Sequence, residues 1–335
     1  MSTAPPFARV ALIGVGLIGS SLARALRRHG LAAEIVGCVR GAESRAYLLD
    51  QGLCDDAVAD PAAAVAGCDL VVLGTPLSAY ADIGERIGPH LQADSLVTDV
   101  GSVKQSVVRD LGPFIPDNVH FVPGHPIAGT EKSGPQAGFA ELFEDRWTIL
   151  TPPPGTDAKA VARVRALWDG IGAHVTEMDP RHHDRVLAIT SHLPHLIAYT
   201  IVGTAADLEE SEQQEVVKFS ASGFRDFTRI AASDPVMWRD IFLNNRDSVL
   251  DVLQRFNEDI TALQRAIRWG EGEVLAARFD RARTLRQGVV AAGQAGTFDP
   301  REPERAVGET QNTARDEDAT SGEGETPSTT VSERS

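Results

Sequence analysis

Short, continuous apolar runs separated by turn residues fill the first half of the chain, and long stretches with apolar positions three and four apart fill most of the second. Arg9-Val10-Ala11-Leu12-Ile13, residues 34–39, Leu70-Val71-Val72-Leu73, Leu96-Val97-Thr98-Asp99, His120-Phe121-Val122-Pro123 and Trp147-Thr148-Ile149-Leu150 read as strands. Helical patterns alternate with them; the first runs from Ser20 to Arg28 and is ended by Gly30. This rhythm predicts an α/β fold over residues 1–178, a doubly wound parallel sheet of Rossmann type. After Met178 the period changes. Asp179-Pro180 reads as a helix cap with proline at the first helical position, and the pattern then runs to Gly203 with few turn signals. A second long helix is predicted from Ser233-Asp234-Pro235, with Ile241, Val249, Val252, Phe256, Ile260, Leu263 and Ile267 on one stripe. Residues 179–296 are therefore expected to form an all-helical domain. Such a stripe needs a large partner surface, and a second copy of the chain in a two-fold homodimer supplies one. Residues 297–335 are rich in Glu, Ser, Thr, Gly and Pro and cannot bury enough apolar surface to offset ordering entropy; they are expected to be a disordered acidic tail without a catalytic role.

Composition narrows the class. The 335 residues are 42% hydrophobic and carry a formal charge of −15, which argues against a nucleic-acid partner because no basic patch stands out. Three cysteines, Cys38, Cys54 and Cys68, lack metal-type spacing and suit buried thiols in a reducing, cytoplasmic compartment. No basic leader and no run of about 20 apolar residues is evident, so no membrane partner is expected.

Gly14-Val15-Gly16-Leu17-Ile18-Gly19 follows the first strand directly and opens a helix. In that setting the glycines permit a tight turn and a close approach of backbone to a pyrophosphate, with the helix N-terminus facing the anion, so a dinucleotide cofactor of the NAD(P) type is expected. The second strand ends at Val39-Arg40, where an NAD-type site carries an acidic residue on the ribose. In a parallel sheet the Gly14 loop, Val39-Arg40, Thr75-Pro76, Ser102 and His125 converge on one edge. His125 lies in Gly124-His125-Pro126-Ile127-Ala128-Gly129-Thr130-Glu131, and an imidazole at such a strand end can act as a base. Ser102 alone reads as an N-cap for the helix starting near Lys104, which is compatible with a hydrogen bond into the site.

Three constellations mark the helical half. His182-His183-Asp184 has the composition of a metal cluster, but adjacent side chains in a first helical turn point apart, and a solvated turn is expected. His192 and His195 in Ser191-His192-Leu193-Pro194-His195 share a helix face without the further ligands zinc would need, so no metal is expected; Pro194 should bend the rod. Arg225, Arg229 and Arg239 could pair with Asp226 and Asp240 as surface charges, or one could grip a substrate carboxylate; the sequence leaves the choice among them open.

Together, Gly14-x-Gly16-x-x-Gly19, Asp99-Val100-Gly101-Ser102-Val103-Lys104, the Gly124–Glu131 stretch, Ser191-His192-Leu193-Pro194-His195 and Gly223-Phe224-x-Asp226-Phe227-Thr228-Arg229 to Trp238 resemble the prephenate/arogenate dehydrogenase family of tyrosine biosynthesis, over roughly residues 8–290. The resemblance implies NAD(P)-dependent oxidative decarboxylation of a cyclohexadienol. It implies that His125 deprotonates the C4 hydroxyl with Ser102 orienting it, that Arg229 binds the ring carboxylate, and that His195 and Thr130 line the pocket. Glu131, Asp226 and Trp238 match a gating ionic network, Gly14, Gly16, Leu17, Ile18, Gly19, Val39, Arg40, Thr75, Pro76 and Ser102 would contact the cofactor, and the helical domain would form the dimer. Val39-Arg40 departs from the acidic ribose ligand, and with Ser44 and Arg45 nearby it favours NADP slightly over NAD. Rival readings are a β-hydroxyacid dehydrogenase or pyrroline-carboxylate reductase, which would be expected to use a helical-domain lysine or serine, and a non-catalytic nicotinamide sensor, which need keep none of His125, Ser102 and Arg229.

Overall fold

The computed structural model describes residues 5–208, 215, 216 and 218–291, and the acidic tail predicted over 297–335 lies outside the described residues. Residues 1–277 form one compact unit and residues 278–335 a second.

Among the described residues the first unit holds two sheets. β1 (Phe7–Ile13), β2 (Ala32–Cys38), β3 (Asp56–Val58), β4 (Leu70–Leu73), β5 (Leu96–Asp99) and β6 (His120–Phe121) form a parallel sheet in the order β3-β2-β1-β4-β5-β6. β4 and β5 are buried at every position because helices cover both faces of the sheet, which is why these strands read as apolar runs without alternation. One face carries α1 (Leu17–Arg28) and α6 (Ala158–Gly170), with Leu22, Leu26, Val164 and Trp168 fully enclosed; the other carries α3 (Pro61–Val65), α4 (Tyr80–Ile87) and α5 (Lys104–Leu111). α2 (Ala42–Asp50) follows β2. A smaller sheet holds β7 (Gly124–Pro126), β8 (Trp147–Leu150) and β9 (His174–Glu177), with β7 antiparallel and β9 parallel to β8. The doubly wound architecture expected from the strand-helix rhythm is present.

The helical part begins with α7 (Pro180–Leu187), capped by the Asp179 carboxylate on the Arg181 and His182 amides. It continues through a π-helical turn, Ala188–His192, into α8 (Leu193–Ala206). The turn stands where Pro194 cannot donate to the preceding ladder, so the predicted bend is taken up as a local widening of the helix. Together Pro180–Ala206 are long and apolar enough, with a mean hydropathy of 1.4 in one window, to cross a membrane by length and composition alone, which corrects the sequence reading. The reading missed it because His192, Pro194 and His195 interrupt the apolar run; His183 and Asp184, just before it, are wholly buried inside this unit.

Further along come α9 (Ser222–Thr228), α10 (Pro235–Asn244), α11 (Arg246–Trp269) and α12 (Gly272–Ala291). The single helix predicted from Pro235 is broken at Asn245, whose backbone (φ −105°, ψ 30°) leaves the helical region. The break turns the buried Asn245 amide inward, where it donates to Asp184 O at 2.8 Å. Trp238 and Ile241 of α10 join the core on the α4/α5 face, whereas Leu250, Ile260 and Ile267 of α11 stay exposed. Of the predicted stripe, Ile241 and Val249 are buried, Val252, Phe256 and Leu263 are half-buried, and Ile260 and Ile267 toward the end of α11 are left exposed.

One buried ion pair ties these layers together. Lys104 Nζ donates to Asp99 Oδ2 and to Gly124 O, each at 2.6 Å, and both side chains are fully enclosed. Tyr80 Oη and the Gly101 amide also donate to Asp99 Oδ2, and the Gly124 amide to its Oδ1. Removing one partner of such a pair leaves the other desolvated and uncompensated, so Lys104→Met is expected to lower the unfolding free energy by about 3–5 kcal/mol. Urea denaturation at neutral pH, compared with the parent protein, checks this.

Candidate active site

Backbone hydrogen bonds tie adjacent strand ends of the main sheet together. Gly14 N–H donates to Cys38 O (2.9 Å), Gly74 N–H to Ile13 O (2.7 Å) and Val100 N–H to Leu73 O (3.0 Å). The loops bearing Gly14-Gly16, Val39-Arg40, Thr75-Pro76 and Ser102 therefore follow neighbouring strands along one edge, as the sequence predicts.

The glycine loop fits a dinucleotide on its own geometry. Gly14 has φ +86°, and a Cβ there would lie 2.6 Å from Thr75 Cγ2; a Cβ on Gly19 would lie 2.6 Å from Gly14 O. A Cβ on Gly16 would meet nothing within 4 Å, so open space adjoins this residue at the start of α1. No side chain caps α1, and its first amides are available to an anion. Leu17 and Ile18 pack against the core, so what they offer the crevice is backbone N–H. Thr75 Oγ1 is buried with no hydrogen-bond partner in the protein. At the end of β2, Arg40 is exposed and Arg45 Nη1 donates to Val39 O (2.9 Å) and Arg40 O (2.7 Å), holding the turn.

His125 sits in β7, opposite Ile149 of β8, and is buried. The Asp99–Lys104 pair grips the preceding residue at both its N–H and its C=O, which fixes where the imidazole projects. His125 Nδ1 lies 2.8 Å from His183 Nε2, and His183 Nδ1 lies 2.8 Å from Asp184 Oδ1. Asp184 also accepts the Lys104 amide at 2.7 Å and the Gln105 amide at 2.9 Å. Two sequence expectations are corrected here. His183 and Asp184 do not form a solvated turn, since both are 0% exposed. Ser102 is not the cap of α5: Val103 holds the N-cap position without a side-chain bond, and Asp184 caps the helix from across the interface between the sheet and the helices. A carboxylate reaching in from α7 satisfies two orphan amides at once, one on each oxygen, and adds a negative charge at the helix N-terminus.

Burial drives the titration of this cluster. His125 is held well below the ordinary 6.5 by desolvation first, then by His183, Lys104 and His192. His183 is lowered by burial against the opposing pull of Asp184, and His192 is lowered to about 4, again by burial. Burial would raise Asp184, but its bonds from His183, Lys104 and Gln105 outweigh that and hold it below the usual carboxylate range.

Around this core stand the residues of the helical half. His195 stacks on Trp238 with ring centroids 3.6 Å apart, and its Nδ1–H donates to Ser191 O at 2.9 Å. His192 meets the edge of the same indole and is tied through Nδ1 to Asn245. Of the three arginines the sequence left open, Arg225 pairs with Asp226 on the surface and Arg239 with Asp240, which also takes the Ser78 hydroxyl. Arg229 instead reaches Glu131 at 2.7 Å, in the loop that continues from His125. The structure thus brings His125, Glu131, His195, Arg229 and Trp238 into one neighbourhood. It gives Asp226 a different partner and ties Thr130 into a local turn through the Lys132 amide.

The sequence reading assigned no role to Asp99, Lys104, His183, Asp184 and Asn245. A signal existed for two of them: His183 and Asp184 precede the buried Leu187 and Ala188 by four residues each, so helical periodicity sets them on the inward face.

Known proteins resemble this chain in both of its halves. Residues 22–177 match the family model described as prephenate dehydrogenase, nucleotide-binding domain, and residues 179–281 match prephenate dehydrogenase, dimerization domain. The chain is similar to cyclohexadienyl dehydrogenase of Zymomonas mobilis, at 40% identity over 84% of this chain and 95% of that protein. It is also similar to prephenate dehydrogenase of Bacillus subtilis, at 36% identity over 84% and 76%. Among solved structures, prephenate dehydrogenase from Aquifex aeolicus in complex with hydroxyphenyl propionate and NAD+ superposes with a TM-score of 0.78 at 35% identity, covering 86% of this chain and 99% of that one. With both halves matched in order and relatives 36–40% identical over most of its length, the chain belongs to the prephenate dehydrogenase family.

Proposed function

We propose that this protein catalyses the oxidative decarboxylation of prephenate, arogenate or both, giving 4-hydroxyphenylpyruvate or tyrosine in the cytoplasm. The observation that carries the reading is a buried, neutral imidazole, His125, held beside the sheet edge that bears the glycine loop. We place the dinucleotide domain at residues 1–178 and the substrate and dimerisation domain at 179–296, acting as a homodimer through the helical half. Ile260 and Ile267, apolar and exposed on α11, support that assembly.

The bound nicotinamide cofactor supplies a hydride acceptor; Gly14, Gly16, Gly19 and Thr75, with the amides of Leu17 and Ile18, would hold its pyrophosphate side, with Pro76 and Ser102 beside the ring. His125 accepts the proton of the C4 hydroxyl as hydride leaves that carbon. It returns the proton to the phenolate oxygen formed when the ring carboxylate departs as carbon dioxide, so the imidazole is restored within each turnover. Ser102 orients the hydroxyl, and Arg229 holds the ring carboxylate by exchanging its ion pair with Glu131 for the substrate. His195, braced by Trp238, lines the pocket with Thr130, and Glu131 and Trp238 guard its mouth; Asp226, paired with Arg225 on the surface, would join them only by leaving that partner. A β-hydroxyacid dehydrogenase or pyrroline-carboxylate reductase reading, or a sensor without chemistry, has no use for this set.

His125→Asn is expected to reduce kcat by about 100-fold or more while cofactor affinity stays within a fewfold of the parent value. Steady-state rates with prephenate and with arogenate, together with cofactor titration, check it, and near-normal turnover in the folded variant refutes the assignment. Because burial depresses the His125 pKa, its base form persists to lower pH than that of an ordinary histidine. The acid limb of log kcat/KM should therefore fall below pH 6.5.

Arg229→Ala is expected to raise KM by about tenfold or more with a smaller effect on kcat, since it removes a charge-assisted grip made in both ground and transition states. An unchanged KM for both substrates moves the carboxylate site elsewhere.

We further propose that NADP serves at least as well as NAD. Val39 offers no carboxylate to repel a 2′-phosphate, and Arg40 stands exposed beside it, with Ser44 and Arg45 at the start of α2. Arg40→Ala should weaken NADP selectively; an equal effect on both cofactors, or a strong preference of the parent protein for NAD, counts against this reading.

A further inference from the structure

We propose that His183 and Asp184 are positioning residues for the reaction at His125: they dictate which of its ring nitrogens carries the proton and steady the charge the ring acquires in turnover. This rests on the reading of His125 as the base.

The argument follows the donors and acceptors along the chain of contacts. Asp184 takes two backbone amides of α5, both fixed donors, and an ionised carboxylate has only acceptors to offer. The His183 nitrogen facing it, Nδ1 at 2.8 Å, must therefore carry a hydrogen. A neutral imidazole has one N–H, so His183 Nε2 presents a lone pair. That lone pair faces His125 Nδ1 at 2.8 Å, which must then be the protonated nitrogen of His125. Nε2 of His125 is left with its lone pair, the form a base requires. The opposite tautomer at either ring sets two donors or two lone pairs against each other in a buried place, which is costly.

The same chain answers a charge problem. When His125 takes the C4 proton it becomes a buried cation with Lys104, His183 and His192 close to it. Its bond to His183 then becomes charge-assisted, and the Asp184 carboxylate behind His183 supplies negative charge along the same line. Asp99 is already engaged by Lys104, Tyr80 and two amides. No proton need leave His125 for His183: it stays on Nε2 until it returns to the phenolate oxygen. The sequence spreads this device over the two halves of the chain, His125 from β7 and His183-Asp184 from α7. Because Asp184 also caps α5, the tautomer is set by a contact that holds the two halves in register.

Two substitutions separate positioning from mere structure. In His183→Gln the side-chain oxygen can reach the place of Nε2 and still accept from His125, whereas His183→Leu cannot accept. His183→Leu is expected to lower kcat by about 100-fold with KM changed by less than about threefold, the loss associated with a misplaced base; His183→Gln should recover at least a tenth of the parental kcat. Nitrogen-15 NMR of histidine-labelled parent protein without substrate or cofactor reads the tautomer directly and does not depend on any variant folding. A protonated Nδ1 and a pyridine-type Nε2 at His125 is the expected result. A protonated Nε2 at His125, or a His183→Leu protein with parental kcat, overturns the proposal. If His125→Asn retains activity, the reading of His125 as base fails first; if His125→Asn is inactive while His183→Leu is fully active, only the positioning role fails.

Discussion

Taking an ammonium and a carboxylate wholly out of water costs several kcal/mol per ion, and the attraction between them offsets this only when every remaining donor and acceptor is met. Asp99 and Lys104 are each held by further hydrogen bonds. Asp99 accepts from Lys104, Tyr80, Gly101 and Gly124, and Lys104 also binds the carbonyl of Gly124. The pair therefore joins the end of β5, the first turn of α5, α4 and the first residue of β7. His125 follows Gly124 directly, so the position of the site histidine depends on a charge pair that is itself wholly enclosed.

A second polar junction carries the site into the helical half. Asp184 of α7 caps α5, and the carbonyl of the same residue accepts from Asn245, which also holds His192. Asn245 can do this because the chain leaves the helical region there and splits one predicted helix into α10 and α11. Trp238 of α10 braces His195 and His192. Asp184, the Asn245 amide and His192 Nδ1 are satisfied by one another, whereas His192 Nε2 and Trp238 Nε1 are buried with no partner in the protein; the satisfied bonds specify one arrangement of their elements.

Much of this was legible in the chain. The strand runs, the change of period after Met178 and the glycine loop opening a helix follow from local rules, because burial on both faces of a parallel sheet and the geometry of a tight turn act over a few residues. His125 stood out through its surroundings. Less accessible were roles that depend on contacts distant in sequence. Asp184 lies 80 residues from the amide it caps, and His183 lies 58 residues from the ring it meets. Helical periodicity sets His183 and Asp184 on the inward face, but it does not say which ring or which amides they meet there.

The sequence by itself determined the parallel sheet, the cofactor loop, the helical second half and the family to which the chain belongs, since each rests on periodicity or on motifs contiguous along the chain. Only the tertiary structure decided which of three arginines reaches the Gly124–Glu131 stretch, that Asp184 rather than Ser102 caps α5, and that His183 stands behind His125. Pairing among like candidates depends on distance in space, and local propensity carries no information about which carboxylate a guanidinium or a helix end will meet.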